Sequence, residues 1–141
     1  MPGARLEPMI FSHPIRVYWE DTDAGGIVFY ANYLKFFERA RTEWLRSLGI
    51  GQHALREATG GMFVVSETAV RYLRPARLDD ELRVTARLQE AGRASLAIDQ
   101  QALRHPGGEL LAEGRIRIGW VDAASLRPAR IPPMILKALN T

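Results

Sequence analysis

The order of apolar and polar positions divides the chain into segments of different period. From His13 to Glu20 the residues alternate, with Ile15, Val17 and Trp19 on one side and Arg16, Tyr18 and Glu20 on the other, which predicts a strand. Asp21-Thr22-Asp23-Ala24-Gly25-Gly26 follows and is a loop by composition. From about Tyr30 to Leu48 the period lengthens to that of a helix. Leu34, Phe37, Trp44, Leu45 and Leu48 share one face, and Lys35, Glu38, Arg39, Thr42 and Arg46 fall away from it. Asn32 is suited to cap the start of this helix, and Gly49 followed by Ile50 to end it. Gln52 to Thr59 reads more softly, as helix or loop.

Beyond Gly60-Gly61 the chain reads as a run of strands. Met62 to Leu73 is rich in Val, Thr and aromatics, and Leu82, Val84, Ala86 and Leu88 alternate with Arg83, Thr85, Arg87 and Gln89. Ala94 to Arg104 alternates less cleanly; Leu110 to Val121 places Ala112, Ile116, Ile118 and Trp120 on one face. Turn signals at Asp79-Asp80, Ala91-Gly92 and Pro106-Gly107-Gly108 are short enough for antiparallel connections. Pro132 to Leu139 fits a short final helix begun by proline. The order predicts an α+β domain of two layers, an antiparallel sheet of about five strands curled over one long helix. A lone sheet leaves its edges open, so a homo-oligomer is expected.

Composition narrows the class without changing this picture. The 141 residues suit one domain, 1–141, and 47% hydrophobic with 25% charged residues is ordinary for a globular protein. No stretch approaches the roughly 20 apolar residues of a membrane span, and MPGARLEPMI lacks the apolar centre of a secretory signal. The chain has no cysteine, which excludes disulfides, thiolate-held metals and a cysteine nucleophile. A cytoplasmic location is the expectation. The net charge is +3, but residues 1–70 carry −1 (7 − 8) and residues 71–141 carry +4 (12 − 8). Seventeen of the 19 cations are Arg, whose fork suits phosphate, although codon bias accounts for arginine equally well. Without a lysine-rich run or interleaved aromatics, nucleic acid is not the expected partner.

Several chemistries find no support. There is no G-x-S-x-G, H-E-x-x-H or phosphate-binding Walker loop. Gly49-Ile50-Gly51-Gln52-His53-Ala54 has the letters of a dinucleotide fingerprint but follows a helix instead of a strand. His13, His53 and His105 have no partner at ligand spacing, so no metal site is expected. What remains is the stretch from Glu20 to Tyr33, in which three acids precede a Gly-Gly loop and an apolar turn into a helix. Turn-capping carboxylates and glycines at positive φ explain part of it. A helix N-terminus also offers unpaired N–H groups to a developing oxyanion, and Asp23 can face the same spot across the loop. A carboxylate and such a donor suffice to hydrolyse an activated ester, by direct attack or by activating water.

The run R-V-Y-W-E-D-T-D-A-G-G-I-V-F-Y-A-N-Y-L-K-F-F-E-R-A-R-T-E-W-L resembles the hotdog-fold acyl-CoA thioesterases. It is similar to the 4-hydroxybenzoyl-CoA thioesterase family and, within it, the Tol-Pal-associated subgroup. Val70 to Leu82 and the closing R-P-A-R-I-P extend the resemblance to nearly the whole chain. The resemblance implies hydrolysis of acyl-CoA, or of an acyl-carrier-protein thioester, to acid and thiol. It implies no metal or redox cofactor, and a dimer or homotetramer with sites at subunit interfaces. Carried over, the catalytic carboxylate falls on Asp23 and the oxyanion donor on the N–H of Tyr30. Gly26, Ile27, Val28 and Asn32 would shape the substrate-binding loop and helix entry. Arg93, then Arg127 and Arg130, would hold the phosphates of CoA. Many members of the subgroup carry His where this chain has Tyr30, and the hydroxybenzoyl-CoA enzymes carry Tyr. Glu38 and Glu43 are read as members of surface or interface ion pairs with neighbouring arginines. Two other readings stand beside this one: a non-catalytic acyl-CoA-binding or envelope-complex scaffold, and a hotdog dehydratase, which would need a histidine near the helix start.

Overall fold

A computed structural model describes residues 10–140. The N-terminal stretch read for its lack of a signal core falls, up to residue 9, outside the described residues. The sheet has five antiparallel strands: β1 (Phe11–Arg16), β2 (Gly61–Tyr72), β3 (Glu81–Ala91), β4 (Ser95–His105) and β5 (Leu110–Asp122), in the order β1-β3-β4-β5-β2. Three helices accompany it: α1 (Asn32–Ser47), α2 (Gln52–Thr59) and α3 (Pro133–Leu139). The expected α+β hotdog architecture is therefore the one observed. Alternation carries the sheet's inner face, where Leu82, Val84, Leu96, Ile98, Ala112, Ile116, Ile118 and Trp120 are buried in one core with Phe36, Phe37 and Leu45 of α1. No helix among the described residues is long and apolar enough to cross a membrane.

The end of α1 follows from local chemistry. Gly49 has φ +82°, its N–H donates to the Arg46 carbonyl at 3.0 Å, and the Ile50 N–H donates to that of Leu45 at 2.9 Å. That double closure satisfies carbonyls the helix leaves open, and Leu45 and Ile50 are both buried beside it.

Three local expectations are corrected. The first strand ends at Arg16 instead of Glu20, because Trp19–Asp21 forms a 3-10 turn. The Asp21 N–H donates to the Tyr18 carbonyl at 3.0 Å and the Asp21 carboxylate accepts from the Tyr18 N–H at 2.9 Å. This closure breaks the alternation, and Trp19 is 79% exposed while Ile15 and Val17 are buried. Asn32 is not the cap of α1: Ala31 holds that position without a side-chain bond. Leu34, expected on the buried face, is exposed, whereas Arg41 is buried. The sheet covers α1 chiefly with β1, β3 and β4, so the flank turned toward β2 is left open at its first turns.

Candidate functional site

The Asp23 loop is a hairpin held at its neck. Thr22 bridges Val28, the Asp23 N–H donates to the Ile27 carbonyl at 2.9 Å, and the Gly26 N–H donates to that of Asp23 at 3.1 Å. Gly26 sits at φ +78°, a conformation that a side chain would strain. A strap between β2 and β3 grips the far side of the hairpin. Ile27 bridges Arg77, and the Val28 N–H donates to the Ala76 carbonyl at 2.8 Å. The Ala76 N–H in turn donates to the Tyr33 hydroxyl at 3.1 Å, so one buried strap residue ties the loop to the first turn of α1.

Asp23 is exposed at the loop's edge. Its Oδ1 accepts the Gly25 N–H at 2.8 Å, and Oδ2 has no acceptor duty among the described residues. On the other side of the neck the chain turns into α1. The Asn32 N–H donates to the Phe29 carbonyl at 2.8 Å, that of Tyr33 to Tyr30 at 3.4 Å and that of Leu34 to Ala31 at 3.2 Å. The N–H groups of Tyr30 and Ala31 are left without an acceptor among the described residues. Unpaired donors at the positive end of a helix stabilise an oxyanion. The hairpin therefore carries a carboxylate with a free oxygen and a vacant pair of N–H donors on one short stretch of backbone.

Aromatic rings wall this end of the molecule. Tyr72, the last residue of β2, meets Tyr33 edge-on at 5.5 Å and Tyr30 at 6.1 Å between ring centroids, and Phe29 lies 4.8 Å from Tyr30. Burial pushes the pKa of the Tyr33 hydroxyl above its ordinary value, opposed in part by its hydrogen bond with Ala76. Burial likewise raises that of Tyr72, with Tyr30 adding to the effect. Tyr33 was read with Asn32 as shaping the helix entry, whereas Tyr72 and Ala76 escaped the reading of single residues. Their signal lay in the V-R-Y-L-R-P-A-R segment, whose pairing with the loop is decided by tertiary contacts.

The structure does not bring the candidate arginines to Asp23 within one chain. The segment 127–131 runs along the end of β5 and the β3–β4 turn. The Asp122 N–H donates to the Arg127 carbonyl at 2.9 Å, and that of Ile131 to the Arg93 carbonyl at 2.8 Å. Arg93 and Arg130 are thus neighbours in backbone, both exposed, and Arg127 lies on the same strip. Gly61, which opens β2, pairs with Asp122 at this end, while Tyr72 closes β2 at the Asp23 end. Roughly 35 Å of strand separates the two. Glu43 does pair with Arg46 on the surface of α1, whereas Glu38 makes no ion pair among the described residues. Among those residues no group of His, Asp and Glu is arranged to hold a metal ion.

Comparison with known proteins bears on the family and the fold. The family model of the thioesterase-like superfamily matches residues 17–139. The acyl-CoA thioesterase YbgC of Haemophilus influenzae is 40% identical over 130 residues, covering 92% of this chain and 94% of the relative. A hypothetical protein from Thermus thermophilus, solved as a crystal structure, is 32% identical with a TM-score of 0.84, covering 92% of this chain and 96% of that one. A Staphylococcus aureus protein solved in complex with CoA superposes with a TM-score of 0.88 at 18% identity, covering 98% of this chain and 86% of that one, a likeness of fold alone.

Proposed function

The chain belongs to the thioesterase-like superfamily and is an acyl-CoA thioester hydrolase, and on that premise we propose that Asp23 and the N–H of Tyr30 carry the reaction. The observation that supports this most is the hairpin itself, with a carboxylate oxygen free on one side of the neck and unpaired helix-terminal donors on the other. The thioester carbonyl oxygen lies against the Tyr30 N–H, and its growing negative charge is met there. Asp23 either adds to the carbonyl carbon or takes a proton from the water that does so. The C–S bond then breaks, the sulfur leaves with the electron pair and gains a proton, and the acid is released. In the first route, water cleaves the acyl-Asp23 anhydride. Gly26, Ile27, Val28 and Asn32 hold the loop to which the acyl group is presented. Tyr30 in place of the histidine of many subgroup members leaves a backbone donor in place and removes an imidazole; placement in the Tol-Pal-associated subgroup rests on the rest of the Arg16–Leu45 run.

The unit of function in this reading is at least a homodimer. β2 is a sheet edge of 12 residues whose outer side is unpaired among the described residues, and Val65 and Tyr72 on it are exposed. Antiparallel pairing of β2 with its copy sets the partner's Arg-rich end beside this chain's Tyr72 end. That arrangement supplies Arg93, Arg127 and Arg130 of the second copy to the phosphates of CoA at a site the first copy begins. The deciding experiment is Asp23→Asn, assayed across short, long and aromatic acyl-CoAs and one acyl-carrier-protein thioester. Turnover is expected to fall by about a thousandfold or more with binding largely kept; normal hydrolysis would refute the assignment. Repeated turnover in isotopically labelled water tests direct attack: label in Asp23 supports the anhydride, whereas label in the product alone is compatible with either route.

A further inference from the structure

Arg41 is a buried cation on α1, with 8% of its surface exposed. Its Nη1 donates to Gln100 Oε1 at 3.0 Å. Gln100 is itself fixed, because its Nε2 donates to the Phe37 carbonyl at 2.9 Å and the Thr85 carbonyl at 3.1 Å. The amide thus commits its oxygen to the guanidinium and its hydrogens to two backbone segments, holding Arg41 in one place. Burying a guanidinium costs several kcal/mol unless its charge is matched. Among the described residues no carboxylate forms an ion pair with it; Glu38, one turn earlier, acts on it only through space.

The other N–H groups of Arg41 have no protein acceptor, yet among the described residues no sealed side-chain nitrogen lacks a partner. Those N–H groups therefore reach solvent. Arg41 lines a groove of about 390 Å³ between α1 and β2, together with Leu34, Leu45, Phe63, Val65 and Ile118. Lys35 and Glu38 also line it and oppose each other in charge, which leaves the guanidinium in excess.

We propose that this groove is a carboxylate site, its apolar walls taking a hydrocarbon body and Arg41, held by Gln100, taking the carboxylate in a forked hydrogen bond. The ligand is an amphipathic carboxylic acid. It arrives as the free acid released by hydrolysis or as the far end of a dicarboxylic acyl group still on its thiol. That choice of source rests on the proposed function; the site itself does not. Opening beside β2, the groove is to be tested in the protein as it assembles in solution.

Calorimetric titration with octanoate reads the first source. The ratio of kcat/KM for suberyl-CoA to that for octanoyl-CoA reads the second. In Arg41→Met at least one of these is expected to fall by about tenfold, with partial recovery in Arg41→Lys. A measurement on the unaltered protein guards against a folding defect: octylamine, of matching length and opposite charge, must bind at least about tenfold more weakly than octanoate. Equal octylamine binding, or both arms unchanged in Arg41→Met, overturns the proposal. Failure of the hydrolase reading stays distinguishable, because Asp23→Asn reports on turnover and leaves octanoate binding untouched.

Discussion

The side-chain amide of Asn32 donates to the main-chain carbonyl of Asp21 at 2.9 Å, and the same carbonyl accepts the Phe29 N–H at 2.9 Å. The first residue of α1 is thereby tied to the residue that opens the Asp23 hairpin. Asn32 is buried, so this bond is shielded from water. Asn32→Ala is expected to cost about 0.5–1.5 kcal/mol in chemical denaturation, since the Asp21 carbonyl keeps the Phe29 N–H. It should also lower kcat more than it raises KM, since the donors at Tyr30 and Ala31 lose their fixed position relative to Asp23. Unchanged kcat in a folded Asn32→Ala protein would remove the tether from the mechanism.

Tyr33 ties the strap to the same helix turn through Ala76. Tyr33→Phe leaves the buried Ala76 N–H without its acceptor and is expected to cost about 1–3 kcal/mol. The hydroxyl also predicts a pH dependence. Its folded pKa is raised above 10.0, chiefly by burial. An acid that holds its proton longer in the folded state contributes its full stability below the unfolded value. That contribution is lost as pH rises from there through the folded value. Denaturation midpoints measured across the alkaline range should decline more steeply for the unaltered protein than for Tyr33→Phe.

Gly61 begins β2 directly beneath the indole of Trp120, and a Cβ there would overlap the ring. Trp120 is held in turn by Phe63, edge-on at 4.9 Å. Gly61→Ala is expected to destabilise by about 1–3 kcal/mol, as overpacking does. Gly92→Ala is the control: the nearest atom to its added Cβ is 3.5 Å away, and its effect should stay within about 0.5 kcal/mol.

Val65, exposed on the outer strand β2, tests the dimer. In an antiparallel pairing of like strands a charge near the middle of β2 approaches its own copy, and opposed like charges are unfavourable. Val65→Asp is expected to shift the equilibrium toward monomer by about tenfold or more in light scattering, and to lower turnover in proportion. A monomeric unaltered protein with full activity would dismiss the shared site.

Much of the fold was legible because periodicity reports the apolar face of each element. Alternation identified β3 and β5 and, less cleanly, β4; Val, Thr and aromatic content identified β2, helical spacing identified α1, and Gly49 marked where α1 stops. The Glu20–Tyr33 run was legible as a candidate site for a similar reason: a short loop and the helix it enters are neighbours whatever the rest of the chain does. Trp19 was misread because alternation continues in the letters past the point where Asp21 closes a turn on Tyr18.

The chain order by itself determined the main strands and the long helix, the sheet-on-helix layering and the short loop that carries Asp23 into the helix start at Tyr30. Tertiary structure alone decided which flank of α1 is covered, and so why Leu34 is exposed and Arg41 buried. It also decided that Arg93, Arg127 and Arg130 gather at the end of β2 away from Asp23. The physical reason is common to these cases. Local pattern encodes hydrogen bonds and burial within a few residues, whereas the partners that matter here are distant in sequence. Gln100 holds Arg41, Ala76 holds Tyr33, and Asp122 holds the Arg127 strip only after the sheet has formed.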